Sequence, residues 1–197
     1  MTFANKITLF RIISIPFFVA SLVFYTPQKP YLKIVALSIF LLAAVSDIID
    51  GYIARTKRQR TKAGAILDPL ADKALLITAF IFIYRVSKIY FAVSLPLWVL
   101  LIVISRDTII LIGSCIILIT HPGVHIQPTR WGKLTTFLQM ATIVCIILEF
   151  KFSPFIWWPA AIFTSISGID YIRLGINTLN NSEHAPTLFK NNKRTHC

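Results

Sequence analysis

Apolar residues run along the chain in six long stretches, with short polar breaks and none of the strict alternation of a half-buried strand. They cover about Ile7–Tyr25, Tyr31–Ile53, Ala65–Tyr84, Tyr90–Ile119, Trp131–Phe150 and Pro154–Leu174. As helices, such lengths suit a hydrocarbon core of about 30 Å. The sequence Thr26-Pro-Gln-Lys-Pro30 supplies a turn after the first stretch. A basic segment, Arg55 to Lys62, separates the second from the third, and His121-Pro-Gly123 ends the fourth. The fourth carries Arg106 and Asp107 near its middle, which predicts a helix that bends or extends beyond the bilayer. The expected fold is an all-α integral membrane protein: a six-transmembrane-helix bundle with a polar cavity open to the cytoplasmic side. Residues 1–179 are expected to form one membrane domain, and 180–197 a polar, mobile C-terminal tail.

Composition agrees. The 197 residues are 56% hydrophobic and 14% charged, and the mean hydropathy is +0.72. So few polar groups cannot wet the surface of a soluble domain of this size. The net charge of +12, from 20 Lys and Arg against 8 Asp and Glu, would suggest nucleic acid in a soluble protein. Here the aromatic residues lie in the apolar runs rather than among the basic loops, so nucleic-acid binding is set aside. With the N-terminus inside, only Lys29, Lys33, Arg85, Lys88 and Lys151 fall on the outer side, and the other fifteen basic residues fall on the inner side. That asymmetry predicts both termini in the cytoplasm. The first stretch, after Lys6 and Arg11, resembles a signal peptide, but no small-x-small cleavage site follows, and it reads as a retained span. Cys115, Cys145 and Cys197 show no metal or disulfide spacing.

The acidic residues are concentrated. Four of the eight are Asp47, Asp50, Asp68 and Asp72. Spacings of three and four place each pair on one helix face. A short basic connection makes the second and third helices expected antiparallel neighbours, so that the four carboxylates converge at the cytoplasmic edge. Carboxylates gathered there repel one another and call for cations. Oxygen-only ligands suit hard divalent ions, and four of them suit two ions sharing ligands. Gly51, Ala54 and Gly64 stand beside the acids and leave room for a bulky ligand or for close helix packing. Salt bridging of the acids to Arg55, Lys57 and Lys73 would account for the charges but not for the small residues. A cation transporter is the reading from another class; against it, no repeat relates the two halves of the chain.

The stretch Asp47-Ile-Ile-Asp50-Gly51-Tyr-Ile-Ala54-Arg55, eight residues, then Gly64-Ala-Ile-Leu-Asp68-Pro-Leu-Ala-Asp72 resembles the signature of the CDP-alcohol phosphatidyltransferase family, D-x-x-D-G-x-x-A-R followed by G-x-x-x-D-x-x-x-D. Every fixed position is matched. Further segments resemble the bacterial branch of the family that uses glycerol 3-phosphate: Asn5-Lys-Ile-Thr8-Leu-Phe-Arg11, Asp72-Lys73, Ser105-Arg-Asp107, Gly132-Lys133, Leu138-Gln139 and Ser167-Gly-Ile-Asp-Tyr171.

The resemblance implies a division of labour. Asp47, Asp50 and Asp68 would hold one divalent ion, Mg²⁺ or Mn²⁺, and Asp47, Asp68 and Asp72 a second. Asp72 would also be the general base. Gly51, Ala54, Gly64 and Arg55, with Asn5 and Thr8, would receive the CDP-diacylglycerol. For Asn5 and Thr8, helix capping is an equally good reading. The phosphate of a glycerol 3-phosphate acceptor would need cations, and Arg106, Arg130, Lys133, Lys73 and Arg11 are the candidates. Arg106 beside Asp107 equally suits a buried ion pair, and Arg130 and Lys133 suit interfacial anchoring beside Trp131. Phosphatidylglycerol is the alternative acceptor. A homodimer in the bacterial inner membrane is the further expectation from the family.

Overall fold

The computed structural model describes residues 3–57, 62–120 and 130–184, and within them the side chains of residues 8–46, 70–114, 131–171 and 173. Six helices account for these residues: α1 (Phe3–Val23), α2 (Tyr31–Lys57), α3 (Lys62–Tyr90), α4 (Leu97–Thr120), α5 (Arg130–Ile147) and α6 (Pro154–His184). No strand occurs among them. The last residues of the expected tail, 185–197, lie outside this description.

Three boundaries differ most from the apolar pattern. The third helix does not stop at Tyr84 but runs through Arg85 and Lys88 to Tyr90. The fourth accordingly begins at Leu97, and the stretch expected to form one long or bent helix from Tyr90 is divided. Pro96 causes the division. It lacks an N–H and disfavours helical backbone in the residue before it, yet its fixed φ suits the first turn of the next helix. The Pro96 carbonyl accepts the Val99 N–H at 3.2 Å, and Ser87 Oγ accepts the Leu95 N–H at 3.2 Å across the turn. At the other end of the chain, α6 continues past Leu174 to His184. Polar residues do not forbid a helix, and a reading guided by apolarity alone stops too soon.

The packing order is set by α1. It lies against both α2 and α3, while α3 packs on α4 and α5, and α6 on α4 and α5. Among the described residues α2 and α3 both pack on α1; the side chains of 47–69, where the two are expected to meet, lie outside the description. The core holds Phe18 and Leu22 of α1, Phe40 of α2, Leu76, Phe80 and Ile83 of α3, Val99 of α4, and Ile143 and Ile146 of α5.

What the bundle turns outward is unlike a water-soluble protein. Phe17, Phe24, Ile34, Leu42, Phe137 and Phe155 are each 60–76% exposed, and they are spread over α1, the turn after it, α2, α5 and α6. Arg11, Lys73, Arg106, Asp107, Gln139 and Ser167 are buried. Apolar side chains facing outward on all sides are what a hydrocarbon surrounding accommodates. Taken singly, one helix among the described residues, at Leu97–Ser114, is long and apolar enough to cross a membrane, with a mean hydropathy of 1.9. The helix stretches Thr8–Val23, Tyr31–Ser46 and Trp131–Ile147 are apolar but shorter. Most hydroxyls inside the helices bond to the carbonyl four residues back. Ser14 does so to Phe10 at 2.8 Å, Ser105 to Leu101 at 2.6 Å and Thr142 to Leu138 at 2.8 Å.

One end of the bundle is fastened by an ion pair. Lys33, in the first turn of α2, donates to Glu149 Oε1 at 2.6 Å. The Ala92 N–H, in the α3–α4 turn, donates to Glu149 Oε2 at 3.4 Å. Glu149 ends α5 in the left-handed region, with φ of 54°. The hydrogen bond from Lys33 holds the Glu149 carboxyl below its ordinary range; partial burial opposes this, and the Ala92 bond and the Lys33 charge assist it. Because the helices alternate in direction, the start of α3 and the ends of α2, α4 and α6 lie at the opposite end.

Candidate functional site

That opposite end carries the aspartate motif. Asp47, Asp50, Gly51, Ala54 and Arg55 occupy the final turns of α2, and Gly64, Asp68 and Asp72 the first turns of α3. All are in helical backbone, so the spacings of three and four do place each acidic pair on one helix face. Of these side chains only that of Asp72 is among those described, and it is half-buried. The side chains of Asp47, Asp50, Gly51, Ala54, Arg55, Gly64, Asp68, Asn5 and Arg130 lie outside the description, so the convergence of the carboxylates does too. Among the described residues no group of three or more His, Cys, Asp or Glu could hold a metal. The chemistry of the donor set still decides what would fit: carboxylates alone suit hard divalent cations and leave zinc or copper without their preferred ligands.

Thr8 and Arg11 extend the site onto α1. They lie three apart, on one face of the helix, and both are buried, at 3% and 1% exposure. A buried guanidinium in the helix that packs on both motif helices places positive charge next to the acidic end.

The candidate cations of the acceptor pocket divide into two groups. Lys73 and Arg106 come together. Lys73 Nζ donates to Asp107 Oδ1 at 3.2 Å. Arg106 Nη1 donates to the same oxygen at 2.6 Å, and Arg106 Nη2 donates to Ser167 Oγ at 2.7 Å. The cluster thus ties α3, α4 and α6 beside Asp72. A Cβ at Gly168 would meet Arg106 Cγ at 3.4 Å, so a bare backbone lets the arginine stem lie along α6. One turn further along the same seam, the absent side chain of Gly113 leaves room for the Tyr171 ring, 3.1 Å from where a Cβ would stand. Lys133 is not part of this group; its side chain is exposed. Near it Trp131 stacks on Phe163, with ring centroids 5.8 Å apart. For Arg106, the ion-pair reading describes the contacts seen.

Asp107, Ser167 and Gln139 were not among the candidate site residues. Adjacency of Arg106 and Asp107 signalled the first, but nothing local signals that Lys73, 34 residues away, reaches the same oxygen. Gln139 is fully buried on α5, and neither its Nε2 nor its Oε1 has a hydrogen-bond partner.

Comparison with known proteins adds a separate line. A family model described as CDP-alcohol phosphatidyltransferase matches residues 1–166. A protein of Mycobacterium tuberculosis named a probable phosphatidylglycerophosphate synthase is 29% identical over 175 residues, 86% of this chain and 79% of its own. The Haemophilus influenzae protein named CDP-diacylglycerol–glycerol-3-phosphate 3-phosphatidyltransferase is 33% identical over 178 residues, 88% of this chain and 92% of its own. The Bacillus subtilis protein of the same name is 28% identical over 186 residues, 85% of this chain and 91% of its own.

Proposed function

The chain belongs to the CDP-alcohol phosphatidyltransferase family, and from that premise we propose that it transfers the phosphatidyl group of CDP-diacylglycerol to glycerol 3-phosphate, giving phosphatidylglycerophosphate and CMP. One observation carries the reading: a complete motif of eight fixed positions set on α2 and α3. Relatives covering 85–88% of the chain, named for this reaction or its product, support the choice of acceptor.

Enzymes of this family use divalent metal ions. Asp47, Asp50 and Asp68 would hold one ion, and Asp47, Asp68 and Asp72 a second. A divalent ion such as Mg²⁺ or Mn²⁺ held by these carboxylates would supply charge neutralisation at the pyrophosphate and so favour departure of CMP. The protein's own residues do the rest. Asp72 accepts the proton of the acceptor hydroxyl as its oxygen bonds to the lipid-side phosphorus. The bond from that phosphorus to the bridging oxygen breaks, and CMP departs with the electron pair. Gly51, Ala54 and Gly64 leave space for the nucleotide, and Arg55 grips it with a planar fork. Asn5 and Thr8 border the CDP-lipid from α1. Arg106, Lys73, Arg130, Lys133 and Arg11 supply positive charge for the acceptor phosphate.

The family works in membranes. All six helices cross the inner membrane in this reading, with both termini and a polar cavity on the cytoplasmic side, and the protein acts as a homodimer. The outward apolar faces and the fifteen-to-five division of basic residues support the orientation.

The test is CMP release by purified protein with CDP-diacylglycerol and Mg²⁺. Glycerol 3-phosphate, phosphatidylglycerol, serine and inositol phosphate are each supplied alone. Release with glycerol 3-phosphate only is expected. Release with phosphatidylglycerol only would keep the chemistry and replace the acceptor.

A further inference from the structure

The cluster of Lys73, Arg106, Asp107 and Ser167 is built unlike a structural salt bridge. Both cations donate to one oxygen, Asp107 Oδ1, at 3.2 Å and 2.6 Å. Their nitrogens therefore stand within about 6 Å of each other, a separation at which like charges repel unless an anion lies between them. Among the described ion pairs two positive charges meet this one carboxylate, in a place where Arg106 is 5% exposed and Asp107 fully buried. Arg106 Nε and Asp107 Oδ2 are buried with no hydrogen-bond partner. A bridge whose only role is stability would balance its charges and satisfy its atoms, because each failure is costly in a low-dielectric interior. Here two cations share one carboxylate oxygen, and a guanidinium donor is left without a partner among the described residues, next in sequence to Asp72.

The spacing suits a phosphate. Two cations that bond different oxygens of one phosphate, each at about 2.8 Å, stand at a separation of this order. Held apart by their own repulsion, a lysine on a flexible stem and an arginine would have to be ordered at each binding event. We infer that Asp107 is a positioning residue for the acceptor's phosphate. It touches no substrate, and it holds the Lys73 ammonium and the Arg106 guanidinium at a phosphate-fitting distance, while Ser167 and the bare backbone at Gly168 fix the direction of the guanidinium. The inference rests on the proposed reaction, in that the acceptor carries a phosphate.

The test measures the Michaelis constants for glycerol 3-phosphate and CDP-diacylglycerol separately, in wild type, Asp107→Asn, Asp107→Glu and Ser167→Ala, with inorganic phosphate as a competing probe. Asp107→Asn is expected to raise the constant for glycerol 3-phosphate about tenfold and to leave that for CDP-diacylglycerol within about twofold. The inhibition constant for phosphate should rise in parallel, and Asp107→Glu should recover part of the loss. Ser167→Ala, which releases one arm of the guanidinium, should raise the acceptor constant about threefold. Equal changes in both Michaelis constants, or an acceptor constant that stays put or falls in Asp107→Asn, would overturn the inference. If Asp107→Asn does not yield folded protein, Ser167→Ala decides, and an unchanged acceptor constant there counts against it. Failure of the proposed reaction is seen separately: wild type would then release no CMP with glycerol 3-phosphate, before any variant is made.

Discussion

Two ion clusters hold this bundle, and they follow opposite rules. At one end Lys33 and Glu149 are matched one to one, both about a quarter exposed, and the carboxylate also receives the Ala92 N–H. Toward the other end Lys73, Arg106 and Asp107 are buried, two cations share one carboxylate oxygen, and among the described residues two polar atoms lack partners. The first joins the start of α2 to two interhelical turns and gives all it can to stability. The second ties three helices beside the proposed base. The satisfied cluster needs no role beyond folding, whereas the other fits the positioning role proposed for Asp107.

The comparison can be broken most decisively at the proposed base. Asp72→Asn should lower the rate of CMP release by about 10²–10⁴-fold, the usual worth of a positioned general base, with little change in melting temperature. A variant retaining more than a tenth of wild-type rate would remove Asp72 from that role. Next comes the buried cluster. Arg106→Ala leaves Asp107 with one cation in place of two and opens space along α6. Breaking a buried pair costs about 3–5 kcal/mol, which for a chain of this size lowers the melting temperature by roughly 10 °C. A shift below about 2 °C would mean the cluster is no more than a surface pair in effect.

A smaller effect is expected along the α4–α6 seam. Gly113→Val would drive a side chain into the Tyr171 ring, where even a Cβ comes within 3.1 Å. Overpacking of this kind costs about 1–3 kcal/mol, readable as a lower melting temperature in detergent. The smallest effect belongs to the other end. Glu149→Gln should cost about 0.2–1 kcal/mol and leave CMP release unchanged. Its pH dependence sharpens the point. The folded state holds the Glu149 carboxyl below its ordinary value of 4.5, so the stabilisation is fully present above that value and is lost as pH falls through the folded one. Wild type and Glu149→Gln should therefore differ in melting temperature at neutral pH and converge in acid. A gap that persisted well below pH 4.5 would assign the difference to packing.

The existence of six helices was legible in the chain, and so was the placing of the acidic motif on two of them, because both depend on local runs and on periodicity. The split at Pro96 was legible in principle, since the proline is visible, but an apolar run on either side concealed it. The packing of α1 on both α2 and α3 was not legible. Helices apolar on every side carry no stripe that states which face meets which neighbour. For the same reason neither Lys73 reaching Asp107 nor Gln139 turning into the core could be read from spacing. The motif named the residues for chemistry, and only the packing shows what orders them.

The adjacency of Arg106 and Asp107 also bears on how the protein enters a bilayer. Both lie inside the one helix that, among the described residues, is long and apolar enough to span alone, and each is the other's neighbour in the chain. An isolated charge at that depth is expensive, and a partner on another helix would arrive only after that helix had inserted. Carried on consecutive residues, the two charges neutralise each other from the moment α4 forms. The segment can leave the aqueous phase as a self-contained, electrically balanced unit, and Ser167, which lies later in the chain, joins it afterwards.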